Sequence, residues 1–239
     1  MDHKCFGRYY THVNDLPVML KLVDRQCLIV GGGKVAVRRT RGLADAGAKV
    51  TVIAPQIEPA LRDIPDVCLI QRPFVDTDLQ GKFMVVVATD HSQLNDHITE
   101  LAKTCNVLIN RADDPDAGDI SIPAHAHCGP ITVAVHTHRI SALAAATIRD
   151  QLLEHMEPAW PALLTAMAPF RKRLQETVID TQVRQSILKS MANDHALTII
   201  KEQGVLRYLN YCESLMNDAP ESPPAATLKQ AEGQGNNDE

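Results

Sequence analysis

Aromatic residues are scarce: one Trp, four Tyr and four Phe make up 4% of 239 residues. That is too few for the stacking platforms of a single-stranded nucleic-acid binder. A basic surplus is missing too. The formal net charge is −5 and the pI about 6.0, which leaves no footprint for a polyphosphate partner. No apolar run approaches the roughly 20 residues that span a bilayer, and MDHKCFGRYY at the N-terminus lacks the apolar centre of a signal peptide. The six cysteines show neither CxxC nor zinc-finger spacing, so scattered thiols in a reducing compartment are expected rather than a disulfide framework. Together these absences point to a cytoplasmic protein with no membrane and no nucleic-acid partner. With 45% hydrophobic and 22% charged residues, the chain has the composition of a globular protein with a sizeable core.

What is present is an alternation. Short apolar runs at Gln26–Val30, Lys49–Ala54, Val67–Gln71, Phe83–Ala88 and Val107–Asn110 are separated by segments of mixed pattern. Two of these are helical, the stretch after Gly33 and the stretch His91–Thr104. Continuously apolar strands interleaved with helices predict a parallel sheet covered on both faces. Right-handed crossovers then leave the Rossmann-type doubly wound architecture. After Asn110 the texture changes. Ile120–His127 and Ile131–His138 flank Gly129-Pro130 as an antiparallel pair, and from Ser141 to about Met216 the pattern is helical. Residues 217–239 carry five acids and one lysine without apolar periodicity, which predicts a disordered acidic tail.

Directly after the first run stands Gly31-Gly32-Gly33-Lys34-Val35-Ala36. Gly31, Gly33 and Ala36 fill the positions of G-x-G-x-x-G/A between a strand and a helix, the context in which a backbone turn and a helix N-terminus receive a pyrophosphate. A dinucleotide site follows. The acid that would hold a ribose after the second strand is missing: that strand runs Val52-Ile53-Ala54-Pro55-Gln56. No arginine follows for a 2′-phosphate either, so NAD is expected over NADP.

These residues are part of a longer pattern. Leu16–Leu22 leads into VGGGKVAVRRTRGLADAGAKVTVIAP; then come Arg72-Pro73-Phe74, Val87-Ala88-Thr89-Asp90 with Asn95, VLINRADDP at 107–115, Ile122-Pro123-Ala124 and GPITVAV at 129–135. In this order they resemble the precorrin-2 dehydrogenases, the N-terminal module of siroheme synthases. The resemblance implies NAD-dependent oxidation of precorrin-2 to sirohydrochlorin and, in many members, ferrochelation to siroheme with ferrous ion as substrate. It also implies a homodimer built through exchanged strands. Residues 1–113 would be the Rossmann domain, 114–150 the dimerisation region, 151–216 a helical domain and 217–239 the tail.

The resemblance places the catalytic acid at Asp113. It places nucleotide contacts on Lys34, Val35, Pro55 and Gln56, which join the motif glycines Gly31, Gly32 and Gly33 and a further candidate, Thr89. As Asp113 follows the end of a central strand, a base for proton removal is expected there, with Asp114 as the alternative and a turn-capping aspartate as the structural one. A substrate with eight carboxylates calls for cationic and polar donors, for which Arg111, Thr137 and Arg139 are the candidates. Arg149 lies near them in sequence and Arg38, Arg39 and Arg41 lie on the first helix; for any single arginine the alternative is a solvated helix face. His125 with His127, and His136 with His138, share strand faces, but no resident metal is expected. The chain departs from its relatives at His136–Ala142 and Gly118–Pro123, which bears on the substrate pocket and on chelation. Two other readings remain: a dehydrogenase served by a separate chelatase, and an NAD-binding redox sensor without turnover.

Overall fold

A computed structural model describes residues 15–138 and 140–218. Arg139 and residues 219–239 of the expected acidic tail lie outside them, and the chain divides into two compact units that meet at Ile122 and Pro123.

The first unit carries one parallel sheet. Its strands are β1 (Gln26–Val30), β2 (Lys49–Ile53), β3 (Cys68–Ile70), β4 (Met84–Val87) and β5 (Leu108–Arg111), in the order β3-β2-β1-β4-β5. β1 is paired over its full length with β2, from Gln26↔Lys49 to Val30↔Ile53, and on its other side with β4. Helix α1 (Lys34–Asp45) buries Ala36 and Leu43 in one core with Cys27, Ile29, Val52 and Val86. Helix α2 (Ser92–Thr104) buries Ile98 and Ala102 in the opposite core with Leu28, Val30, Val85 and Ile109. The period of two along each strand sends alternate apolar side chains to the two faces. That is why the strands read as unbroken apolar runs. Helix α1 stops at a glycine. Gly47 has φ +80°, its N–H donates to Ala44 O, and Ala48 N–H donates to Leu43 O, the paired bonds of a Schellman stop.

The expected strand at 120–127 is shorter. β6 (Ala124–Cys128) pairs antiparallel with β7 (Ile131–Val135), Ala124 opposite Val135 and Cys128 opposite Ile131. Ile120 and Ile122 instead pack against the α1-side core of the first unit. The reason is local: Asp119 and Ile120 donate their N–H groups to Ile109 O, and Asn110 Nδ2 donates to Ile120 O at 2.6 Å. These bonds hold the segment against β5 and away from the hairpin.

The second unit combines this hairpin, helix α3 (Ala142–Glu154) packed on both its strands, and helices α4 (Ala159–Thr177), α5 (Thr181–Met191) and α6 (Asp194–Asn217). Leu163, Leu174, Met191, Tyr208 and Cys212 form its separate apolar core. Among the described residues no helix is long and apolar enough to cross a membrane.

Candidate functional site

The strand order reverses between β1 and β4, and the carboxyl ends of a doubly wound sheet open a crevice at such a point. Four loops meet at this edge: those after β1, β2, β4 and β5. The Gly31–Gly33 turn is wedged among them. A Cβ on Gly31, where φ is +125°, would stand 2.3 Å from Ala88 O in the loop after β4, and one on Gly32 would stand 1.9 Å from Gln56 O in the loop after β2. Only glycine permits these approaches. Glu58 N–H donates to Gly32 O, and Gln71 Nε2 donates to Pro55 O, so the loop after β2 is tied to the turn and to β3.

Gly33 differs from its neighbours. Nothing lies within 4 Å of where its Cβ would be. It stands at the N-cap of α1 without a side-chain cap, and the first intrahelical bond runs from Val37 N–H to Gly33 O. The amides of Lys34, Val35 and Ala36 therefore have no partner within the helix. Open space before a helix N-terminus is the geometry that a pyrophosphate fits. The residues present suit a dinucleotide.

At the end of β5 lies a polar network. Arg111 Nε and Nη2 donate to Asp113 Oδ1 and Oδ2 at 2.8 and 2.7 Å, a two-pronged contact. Arg111 Nη1 donates to Asp96 Oδ1 at 2.9 Å and to Thr99 Oγ1 at 3.0 Å, both on α2. Asn95 Nδ2 donates to Asp113 Oδ2 at 2.9 Å and to Thr89 O at 3.1 Å, and Thr89 Oγ1 donates to Asn95 Oδ1. Asn95 thus links Asp113 to the loop after β4, the same loop that crowds Gly31. The Arg111 fork holds the Asp113 carboxyl well below the usual carboxylate range, and Asn95 adds to it against the opposing pull of partial burial. Arg111 is in turn held more firmly protonated, chiefly by Asp113.

Two expectations change. Arg111 was expected to hold substrate carboxylates, but its side chain is 3% exposed and all three guanidinium nitrogens are engaged within the chain. It is a partner of Asp113 instead. Asp113 as proton acceptor meets a carboxylate already bound by three donated hydrogen bonds, a weak base at neutral pH. Neither Asn95, Asp96 nor Thr99 was foreseen as a site residue. The available signal was three polar residues at helical spacing (i, i+1, i+4) on a helix otherwise facing an apolar core.

The remaining candidates stand elsewhere. In the second unit, Thr137 Oγ1 donates to Ser141 O and receives Ser141 N–H, closing the turn into α3. Arg149 binds Asp150 and His125 O. His125 and His127 do share a face and are exposed, His127 Nδ1 lying 2.9 Å from Thr132 Oγ1. The His136 and His138 rings meet edge to face at 4.9 Å. Arg139 lies outside the described residues.

Residues 18–124 match the family model described as putative NAD(P)-binding. Siroheme synthase from Nitrosococcus oceani is 34% identical over 173 residues, 71% of this chain and 37% of its own length. Over that stretch the chain is similar to the siroheme synthases. The protein of that name from Methylococcus capsulatus is 35% identical over the same share of this chain and 36% of its own. The chain therefore spans little more than a third of the curated relatives it matches. Among solved structures, SirC, a precorrin-2 dehydrogenase, superposes with a TM-score of 0.69 at 24% identity, covering 84% of this chain and all of that one. The two share the fold: parallel sheet, small antiparallel pair and helical C-terminal region.

Proposed function

We propose that this chain oxidises precorrin-2 to sirohydrochlorin with NAD. The observation that carries the reading is the joining of two features on one sheet edge: an open glycine turn at a helix N-terminus, and the Asp113 carboxylate tied to the neighbouring loop through Asn95. When bound, the nicotinamide supplies a hydride acceptor. The chain's residues do the rest. The amides of Lys34, Val35 and Ala36 take the pyrophosphate, and the loop with Pro55 and Gln56 borders the adenosine side. Thr89 fixes the loop beside the reacting end, and Asp113 presents negative charge there. The absence of an arginine beside Pro55 and Gln56 for a 2′-phosphate supports NAD over NADP.

Ferrochelation belongs to the same proposal as a second activity, since pyrrole nitrogens must lose protons as ferrous ion enters and a nearby anion favours that exchange. We also read the chain as a homodimer joined through the β6–β7 hairpin and α3. Leu143 and Leu152 on α3 are 78% and 52% exposed, an apolar surface that pairing would cover, and a two-stranded ribbon leaves both edges unpaired.

One anaerobic experiment tests the reading. Purified protein is given precorrin-2 with NAD or NADP, then ferrous ion, while macrocycle absorbance and reduced nicotinamide are followed. Stoichiometric NADH and sirohydrochlorin are expected, then siroheme on adding iron. NAD binding without turnover would make the chain a redox sensor instead. Oxidation without metal insertion would leave a dehydrogenase served by a separate chelatase. Sedimentation of the full chain showing only a 26.3 kDa species would remove the dimer.

A further inference from the structure

The network at the end of β5 carries an inference that rests on the reading above. We propose that Arg111 is a positioning residue: its two-pronged contact keeps Asp113 charged and aimed, so that Asp113 serves as a fixed anion beside the macrocycle from which hydride leaves.

The placement follows from the strand. Ile109 and Arg111 share a parity on β5, and Ile109 lies in the α2-side core. Arg111 therefore enters an apolar layer and is buried to 3% exposure, while the Asp113 side chain keeps 36%. One partner is anchored and the other is open. The anchor is complete, because Asp96 and Thr99 hold the guanidinium from α2 while Asp113 takes its other edge. A buried guanidinium that lost its carboxylate would be left with unsatisfied donors, so the pair is costly to break. Asn95 adds a second donor to the same carboxylate from a different element. Two elements thus fix both the rotamer and the charge of Asp113, and the low carboxyl pKa agrees with that geometry. On the elements that hold it, the other titratable groups are Asp96 on α2, Asp90 and His91 at the entry to α2, and Asp114 and Asp116 next along the chain.

The chemistry gives the fixed charge its use. In the dehydrogenation one C–H bond breaks with its electron pair going to the nicotinamide. The macrocycle is left with one more positive charge, and a proton then leaves to water. A carboxylate already ionised and held in place stabilises that cation without reorganising. A free carboxylate would have to be caught in the right rotamer and protonation state.

The test uses the full chain and precorrin-2 oxidation between pH 3 and 8, for wild type, Arg111→Lys, Arg111→Met and Asp113→Asn. Wild-type kcat should stay level through the acid range. Arg111→Met should lower kcat by about 10–100-fold, the usual effect of losing an orienting partner, with KM for NAD unchanged. It should also bring in an acid limb that wild type lacks, as the Asp113 carboxyl loses its fork and returns towards the ordinary carboxylate range. Arg111→Lys should recover part of kcat, since it restores charge without the fork. An Arg111→Met profile superimposing on wild type, with Asp113→Asn impaired, would overturn the positioning role. Full activity in Asp113→Asn would overturn the fixed anion while leaving the dehydrogenase reading intact. No oxidation by wild type would overturn both. Should Arg111→Met fail to fold, carbon-13 titration of the Asp113 carboxyl in the wild type decides: an ordinary midpoint near 4 overturns the proposal, and no titration down to pH 3 supports it.

Discussion

Gly31 and Gly33 stand two residues apart and obey different constraints. At Gly31 the backbone φ of +125° and the 2.3 Å approach to Ala88 O leave no room for a side chain, so Gly31→Ala should destabilise the fold by about 1–3 kcal/mol. At Gly33 the space is open and the residue caps α1. Aspartate is among the better N-caps. Gly33→Asp should therefore hold or slightly raise Tm while placing a carboxylate in the path of the pyrophosphate. Calorimetry of binding and thermal melts separate the two: Gly33→Asp loses NAD and keeps its Tm, and Gly31→Ala loses Tm. A Gly33→Asp variant with unchanged NAD affinity would remove the glycine turn from the site. The turn was legible in the sequence because its spacing and its strand–helix context are local. The role of Arg111 was not. Nothing in INRADD says that the arginine enters the sheet's apolar layer, and its partners Asp96 and Thr99 are 15 and 12 residues away.

At the scale of elements, the parallel strands could be read off because burial on both faces makes them continuously apolar. The hairpin was misplaced at its start because Ile120 and Ile122 look like strand residues, whereas their neighbourhood is set by hydrogen bonds to Ile109 and Asn110. The segment between β3 and β4 has no α-helix, only a 3-10 turn at Asp76–Leu79, and it is held by a different device. Arg72 binds Asp78 through two nitrogens at 2.8 and 2.6 Å, and Val75 N–H donates to the same carboxylate at 2.9 Å. The Asp78 carboxyl pKa is lowered in consequence, first by Arg72. A carboxyl whose folded pKa lies below its unfolded value of about 3.9 stabilises the fold above that value and loses the contribution as pH falls through the folded pKa. Asp78→Asn should therefore melt earlier than wild type at pH 7, and the gap should narrow steadily towards pH 3. A gap that stays constant across that range would show that the ion pair adds nothing through its charge.

The whole molecule has two units with separate apolar cores, one set flanking the parallel sheet and one among α4–α6. The sequence changes texture after Asn110, whereas the break lies near Ile122 because the residues up to it pack on the first core. The proposed cofactor site belongs wholly to the first unit. That has a consequence in time rather than in space. Leu28, Ile29, Val85 and Val86 on β1 and β4 are fully buried, in adjacent paired strands. Such amides exchange their hydrogens with solvent only when the surrounding unit opens. A ligand at about a hundred times its Kd favours the closed form by about 2.7 kcal/mol, which lengthens the wait for opening about a hundredfold. Deuterium uptake at β1 and β4 is therefore a clock that NAD should slow from hours to days. NADP, if it binds more weakly, should slow the same clock less.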